Sequence, residues 1–269
     1  MSKTQVSDTW ERGSPYEQYI GRWSRQVAPL FLSWLDQPPG LRWLDVGCGT
    51  GALSAAILDR CAPRSVAGVE PSDGFRQLAE QHLAGRARVL AGHAAAIPLA
   101  AGTCDVVASG LVLNFVPDVS AALAEMRRVT APGGTIAAYV WDYAGGMEII
   151  KSFWDAAVAL DPAAAALHEG PRFPLCHPAA LQAAFAAAGL EQVKTAPLDV
   201  SAKFAGFDDY WQPFLGGQGP APAYAMSLGE EQRAALRARL QSALPAAADG
   251  SIALRARAWA VCGIARGTV

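Results

Sequence analysis

Leu44-Asp45-Val46-Gly47-Cys48-Gly49-Thr50-Gly51-Ala52 is the stretch whose reading decides the fold of this chain. It closes a short apolar run, Leu41–Val46, that suits a buried parallel strand. It then places an aspartate at the strand end, three alternating glycines in a turn, and the start of a helical pattern over Ala52–Arg60. Glycine is needed in such a turn because the chain reverses sharply and a ligand must reach the backbone with no Cβ in the way. Two features narrow the ligand. A dinucleotide fingerprint counted from Gly47 needs a third glycine at position 52, which is alanine, and no Lys-Ser/Thr pair of a phosphate loop follows. Glu70 lies 19 residues beyond Gly51, at the end of the next apolar run, where a carboxylate can accept both hydroxyls of a ribose. The spacing therefore predicts a site for an adenosine ligand without a pyrophosphate.

Working outward, strand and helix patterns alternate. Strands are predicted at Leu41–Val46, Ser65–Val69, Ala87–Ala91, Cys104–Ser109 and Thr135–Trp141, with helices at Ala52–Arg60, Asp73–Leu83 and Val119–Val129. Pro132-Gly133-Gly134 reads as a sharp turn. Alternation at these lengths requires crossovers and hence a mostly parallel sheet with helices on both faces. Leu190–Val200 and Ser251–Ala265 read as two further strands, making a seven-stranded Rossmann-like α/β fold. Tyr16–Leu35 carries Ile20, Trp23, Val27, Leu30, Phe31 and Trp34 at helical spacing, so residues 1–40 are set apart as a helical cap on a core spanning 41–269. The segments 144–180 and 203–245, rich in aromatics and proline, are expected to form a helical lid over the substrate.

The bulk composition excludes several classes. With 52% hydrophobic and 17% charged residues the chain is a folded globular protein. Its net charge of −2, with no Lys/Arg block, gives no electrostatic footprint for nucleic acid. Five cysteines with no C-x-x-C pair argue against a disulfide scaffold or a zinc site, so no metal is expected and a reducing cytoplasm is the simpler location. No run of about 18 apolar residues predicts a membrane span.

Across residues 41–142 the sequence resembles the class I S-adenosylmethionine (SAM)-dependent methyltransferases, in the small-molecule branch that includes ubiquinone- and menaquinone-biosynthesis enzymes. The resemblance is carried by Leu44–Ala52, Val69-Glu70-Pro71-Ser72, Gly92-His93-Ala94 with Ile97-Pro98-Leu99, Asp105-Val106-Val107 with Leu113-Asn114-Phe115-Val116, and Glu125–Val129 with Pro132-Gly133-Gly134. It implies SAM as cofactor, with Gly47, Cys48, Gly49 and Gly51 against its methionine and ribose parts. Asp45 would organise the loop and the cofactor's amino group, Glu70 would bind the ribose, and Pro71 and Ser72 would flank the adenine. Ala94 would offer its backbone to the adenine edge and Leu113 would line the pocket. The family usually has aspartate where this chain has His93, whose imidazole can donate or accept. The N-terminal helix with Tyr16, Tyr19 and Arg22 would fold over the cofactor.

Methyl transfer from a sulfonium is an in-line displacement, so positioning carries much of the work and a base is needed only if the acceptor must lose a proton. Residues at the carboxyl ends of strands four and five are the candidates to face the methyl group: Asn114 and Phe115, then Trp141, Asp142 and Tyr143. The expected partner is a small, partly hydrophobic methyl acceptor, with no nucleic acid and no membrane, and a homodimer is compatible with the sequence. Two other readings fit the glycine loop: a SAM-binding regulatory or scaffold protein without turnover, and a nicotinamide-dependent oxidoreductase, which the missing third glycine disfavours.

Overall fold

The computed structural model describes residues 21–216 and 219–266. The chain divides into two compact units. Among the described residues, one comprises Ser24–Trp141, Leu175–Leu198 and 258–266; the other comprises Asp142–Pro174 and Asp199–Arg257, together with Trp23.

The first unit is built on a seven-stranded sheet. Its strands are β1 (Arg42–Val46), β2 (Ser65–Glu70), β3 (Arg88–Ala91), β4 (Cys104–Gly110), β5 (Thr130–Trp141), β6 (Leu190–Phe204) and β7 (Ile252–Ala265), in the order β3-β2-β1-β4-β5-β7-β6. Strands β1 to β5 pair in parallel, and β7 runs antiparallel beside β5. This is the mostly parallel, Rossmann-like sheet predicted. The chain order reverses at β1, where β2 lies on one side and β4 on the other, and in such sheets ligands bind outside the carboxyl ends of the strands at that point.

Local chemistry explains the elements. Trp43, Leu44, Asp45 and Val46 are all buried, as a strand covered on both faces requires. Helices α1 (Arg22–Leu35), α2 (Ala52–Arg60), α3 (Asp73–Leu83) and α4 (Val119–Val129) precede β1 or link the parallel strands. Helix α3 buries Phe75, Ala79 and Leu83 four residues apart, and Ser72 caps it by accepting from Phe75 N–H at 3.4 Å. Asp118 caps α4 through Ala121 N–H at 2.9 Å. Between β1 and β4, the Arg42 guanidinium forks onto Asp105 at 2.9 and 2.6 Å and holds its carboxyl down at about 2.

Several boundaries differ from the sequence expectation. Strand β5 begins at Thr130 rather than Thr135. Cys104 pairs with Thr130 and Val106 with Thr135, so Pro132-Gly133-Gly134 forms a wide bulge within the strand instead of ending it. Gly133 has φ +77°, and a Cβ on Gly134 would stand 2.7 Å from the Asp105 carbonyl oxygen. Of the cap expected over residues 1–40, residues 1–20 lie outside the described residues and the chain from Ser24 falls in the sheet unit. Phe31 packs on Tyr139 with ring centroids 4.7 Å apart, and Thr135 Oγ1 donates to Gln37 Oε1 at 3.2 Å. The segment expected as an insert over 144–180 ends earlier. Helix α7 (Pro178–Ala187) lies in the sheet unit, where Arg127 donates to the Ala188 carbonyl at 2.9 Å.

The second unit has its own core. Helices α5 (Glu148–Leu160), α6 (Glu169–Arg172), α8 (Phe207–Trp211), α9 (Pro220–Ser227) and α10 (Glu230–Ala243) gather aromatic side chains, with Phe153 stacked on Phe214 at 4.6 Å. Tyr210 donates to the Ile149 carbonyl at 2.9 Å, and the Trp154 indole donates to the buried carboxylate of Glu169.

One close contact yields a test. A Cβ on Gly68 of β2 would come within 2.7 Å of Cys48 Sγ and 2.9 Å of Cys48 Cβ. Gly68→Ala should lower the unfolding free energy by about 1–3 kcal/mol. Urea denaturation in a double-mutant cycle should show a smaller loss in a Cys48→Gly background; equal losses in both backgrounds would exclude the contact as the cause.

Candidate cofactor site

The glycine loop takes its shape from backbone contacts to β2. Gly47 N–H and Cys48 N–H both donate to the Val69 carbonyl, at 2.8 and 3.1 Å, and Gly51 N–H donates to the Cys48 carbonyl at 2.8 Å. Gly47 and Gly49 have φ of +73° and +54°, in the left-handed region that favours glycine. They differ in what surrounds them. A Cβ on Gly47 would come within 2.6 Å of Val112, whereas one on Gly49 would meet nothing within 4 Å. Gly47 is thus required by packing, while Gly49 leaves open space beside a bare backbone. The Cys48 side chain turns inward against Gly68 and shares a cluster with Ala79 and Leu83, so burial pushes its thiol pKa well up.

Two carboxylates flank this space. Glu70, at the end of β2, accepts from Gly49 N–H at 3.1 Å and from Ser72 N–H at 2.9 Å. Its burial raises its pKa despite both bonds. Asp45, one residue before the end of β1, is 1% exposed. One oxygen accepts from Ser54 Oγ at 2.7 Å; the other is buried and, among the described residues, has no hydrogen-bond partner. Burial pushes the Asp45 carboxyl up to about 7, with Ser54 pulling down and nearby Glu70 adding to the rise.

The remaining candidates fall into place around these groups. Pro71 is exposed, and Ser72 is spent partly on capping α3. His93 is exposed and its carbonyl closes a small turn by accepting from Ala96 N–H at 2.9 Å, with Ala94 buried inside. Glu125 and Arg128 of α4 clamp the segment that follows. Ile97 N–H donates to Glu125 at 2.9 Å, while Arg128 donates to the Ile97 and Leu99 carbonyls at 2.9 and 2.8 Å. Beyond β4, Leu111 takes φ +63°, a strained value for leucine, and its N–H donates to the Tyr139 carbonyl at 2.8 Å. Leu113 is buried and Asn114 is half-buried in the one-turn helix Leu113–Phe115.

Other candidates lie outside the described residues or in the second unit. Tyr16 and Tyr19 lie outside the described residues, as does the side chain of Arg22. Asp142 and Tyr143 belong to the second unit. There, the Asp142 carboxylate closes a turn by accepting from Gly145 N–H at 3.0 Å, and Tyr143 is buried against Phe173 with ring centroids 5.5 Å apart. Among the described residues no cluster of His, Cys, Asp and Glu could hold a metal ion, and no helix is long and apolar enough to cross a membrane.

Residues 44–138 match a protein family described as a methyltransferase domain. Over these residues the chain is similar to methyltransferase domains. Curated relatives include the malonyl-[acyl-carrier protein] O-methyltransferase of Serratia marcescens, 32% identical over 51% of this chain and 52% of that protein. A ubiquinone biosynthesis O-methyltransferase from Leptothrix cholodnii is 34% identical over 41% of this chain and 50% of its own length. The matches thus span about half the length of these relatives. Solved structures agree on the fold. The YcgJ protein of Bacillus subtilis superposes with a TM-score of 0.57 at 16% identity, covering 90% of this chain and 99% of that one. Phosphoethanolamine N-methyltransferase 2 of Haemonchus contortus gives 0.57 at 14% identity, covering 99% and 59%.

Sequence reasoning missed Val112 and Leu111. Both shape the glycine loop or its neighbouring strand end, yet neither residue type is a signal for that role; only the Gly47 contact and the positive φ expose them.

The raised Asp45 carboxyl predicts a pH dependence of the ligand-free protein. Its folded value of about 7 exceeds the ordinary value near 3.8, so its contribution to stability is fully present below about pH 4 and is lost as pH rises through about 7. Asp45→Asn should therefore flatten thermal unfolding profiles across that window, gaining on the parent as pH rises. Parallel profiles would contradict an ionisable buried carboxyl.

Proposed function

We propose that this chain transfers a methyl group from SAM to a small, partly hydrophobic acceptor. The observation that carries the reading is the pair of buried carboxylates, Asp45 and Glu70, on neighbouring parallel strands beside the open face of Gly49. The residues suit the cofactor: a buried carboxylate oxygen without a partner fits an ammonium group, and a glycine with empty space at its Cβ position fits close approach of a ligand.

When bound, SAM supplies an electrophilic methyl on a sulfonium whose leaving group is a neutral thioether. The chain's residues bind and orient it. Glu70 keeps spare acceptor capacity for the ribose hydroxyls even while it holds Gly49 and Ser72. Asp45 meets the amino group of the methionine part. Gly47 and Gly51 shape the loop, and Cys48 contributes backbone, its side chain being spent on packing. Pro71 and Ser72 flank the adenine, with His93 and Ala94 at its edge and Leu113 as an apolar wall. Asn114 faces the acceptor side.

Calorimetric titration with SAM and S-adenosylhomocysteine is the direct test. Both should bind, and Glu70→Ala should cost about 1.5–3 kcal/mol, roughly ten- to a hundredfold in affinity. Absence of binding by either ligand would end the proposal. Because a cationic partner requires Asp45 ionised, SAM affinity should rise as pH increases through about 7, with proton release on binding below that point. An affinity indifferent to pH over that range would mean that Asp45 does not meet the amino group.

A further inference from the structure

The sheet unit leaves four buried side-chain polar atoms without a hydrogen-bond partner among the described residues: Trp43 Nε1, Asp45 Oδ1, Asn114 Nδ2 and Trp141 Nε1. A buried donor or acceptor left unpaired costs on the order of 1–3 kcal/mol, so each needs a reason. Trp43 is the second residue of β1, away from the strand's carboxyl end. The other three lie at the carboxyl ends of three consecutive strands in the sheet order, β1, β4 and β5. Asp45 is accounted for by the cofactor's amino group.

The two that remain are N–H donors. An indole nitrogen can only donate, and the amide nitrogen of asparagine likewise offers hydrogens and no lone pair. Trp141 is the last residue of β5 and 2% exposed. Asn114 sits in the turn that follows β4. The two strand ends are locked together just before these residues. Gly110, paired with Tyr139, has no side chain, and a Cβ there would stand 2.5 Å from Tyr139 Oη. The Leu111 N–H then bonds the Tyr139 carbonyl. Strand alternation puts Trp141 on the same face of β5 as Tyr139, one pleat nearer the carboxyl edge.

We propose that Trp141 Nε1–H and Asn114 Nδ2–H, at the carboxyl ends of the adjacent strands β5 and β4, hold an oxygen of the methyl acceptor. The acceptor class is thus an acidic hydroxyl: a carboxylic acid, an enol or a phenol, bound as its oxyanion. This rests on the methyltransferase reading and specifies its other substrate. Two donors without a base suit such a group, because hydrogen bonding to the charged form lowers its pKa and the proton leaves to water before transfer. The oxyanion's lone pair then forms the C–O bond to the methyl carbon as the C–S bond breaks, its electron pair staying on sulfur. The products are a methyl ester or ether and the neutral thioether. An amine acceptor brings hydrogens of its own and would leave both donors unpaired.

The test follows the indole ¹H–¹⁵N resonance of Trp141 in the full chain saturated with S-adenosylhomocysteine, using benzoate, phenol and benzylamine as probes at millimolar concentration. Benzoate or phenol should move that resonance downfield, and benzylamine should not. Asn114→Leu and Trp141→Phe should each weaken binding of the oxygen probe by about tenfold while leaving S-adenosylhomocysteine affinity unchanged. The resonance in the unmodified chain decides the matter even if Trp141→Phe fails to fold. If S-adenosylhomocysteine binds but neither oxygen probe moves the resonance, or benzylamine moves it equally, the donor-pair assignment is overturned while the cofactor site stands. If S-adenosylhomocysteine does not bind, both fall together.

Discussion

The Glu70 carboxylate joins the parts on which the site depends. One oxygen accepts from Gly49 in the loop after β1, and the other accepts from Ser72 at the start of α3. The loop is held a second time by the Val69 carbonyl just before Glu70. A single side chain therefore fixes the exit of β1, the exit of β2 and the entry of a helix. The cost is a buried charge whose pKa is raised in spite of two hydrogen bonds. Such a cost is expected where a site is organised ahead of its ligand. In the proposed function the same carboxylate takes the ribose hydroxyls, so the group that builds the loop also reads the ligand.

Among the described residues of the sheet unit, three of the four buried side-chain polar atoms without a partner lie toward its carboxyl edge, Trp43 Nε1 being the exception. Arg42 and Asp105 satisfy each other near the amino ends of β1 and β4, and Ser109 donates to the Val46 carbonyl at 2.9 Å near the carboxyl ends of the same strands. Toward that carboxyl edge Asp45, Asn114 and Trp141 each retain an unpaired atom. Leu111, beyond the end of β4, also takes a positive φ. Unmet hydrogen-bonding capacity at the carboxyl edge suits a binding surface.

Much of this was legible in the sequence, for identifiable reasons. The strand–loop–helix around Gly47–Gly51 combines an apolar run, glycines that need φ above zero and a capped helix, and all three signals are local. Glu70 was found by its spacing, because the length of a crossover helix is nearly fixed. The Pro132-Gly133-Gly134 bulge was read as a turn because its local chemistry is that of a turn; only the cross-strand pairs Cys104–Thr130 and Val106–Thr135 reveal that the ladder resumes on both sides. Helix α7 falls in the sheet unit, where the bond from Arg127 to Ala188 is a long-range contact that no local pattern signals. Asp142, a strand-end carboxylate in the sequence, accepts from Gly145 N–H, a contact that depends on the fold of the following loop. Val112 beneath Gly47 carried no local signal at all.

A crystal structure of the chain grown with S-adenosylhomocysteine would examine the role of Glu70 and Gly49 most directly. The adenosyl group should occupy the space open beside Gly49, with the ribose hydroxyls on the Glu70 carboxylate and the amino group on the second oxygen of Asp45. A bound ligand lying elsewhere, with Glu70 still engaged only by Gly49 and Ser72 and Asp45 still unpartnered, would show that the two carboxylates serve the fold alone.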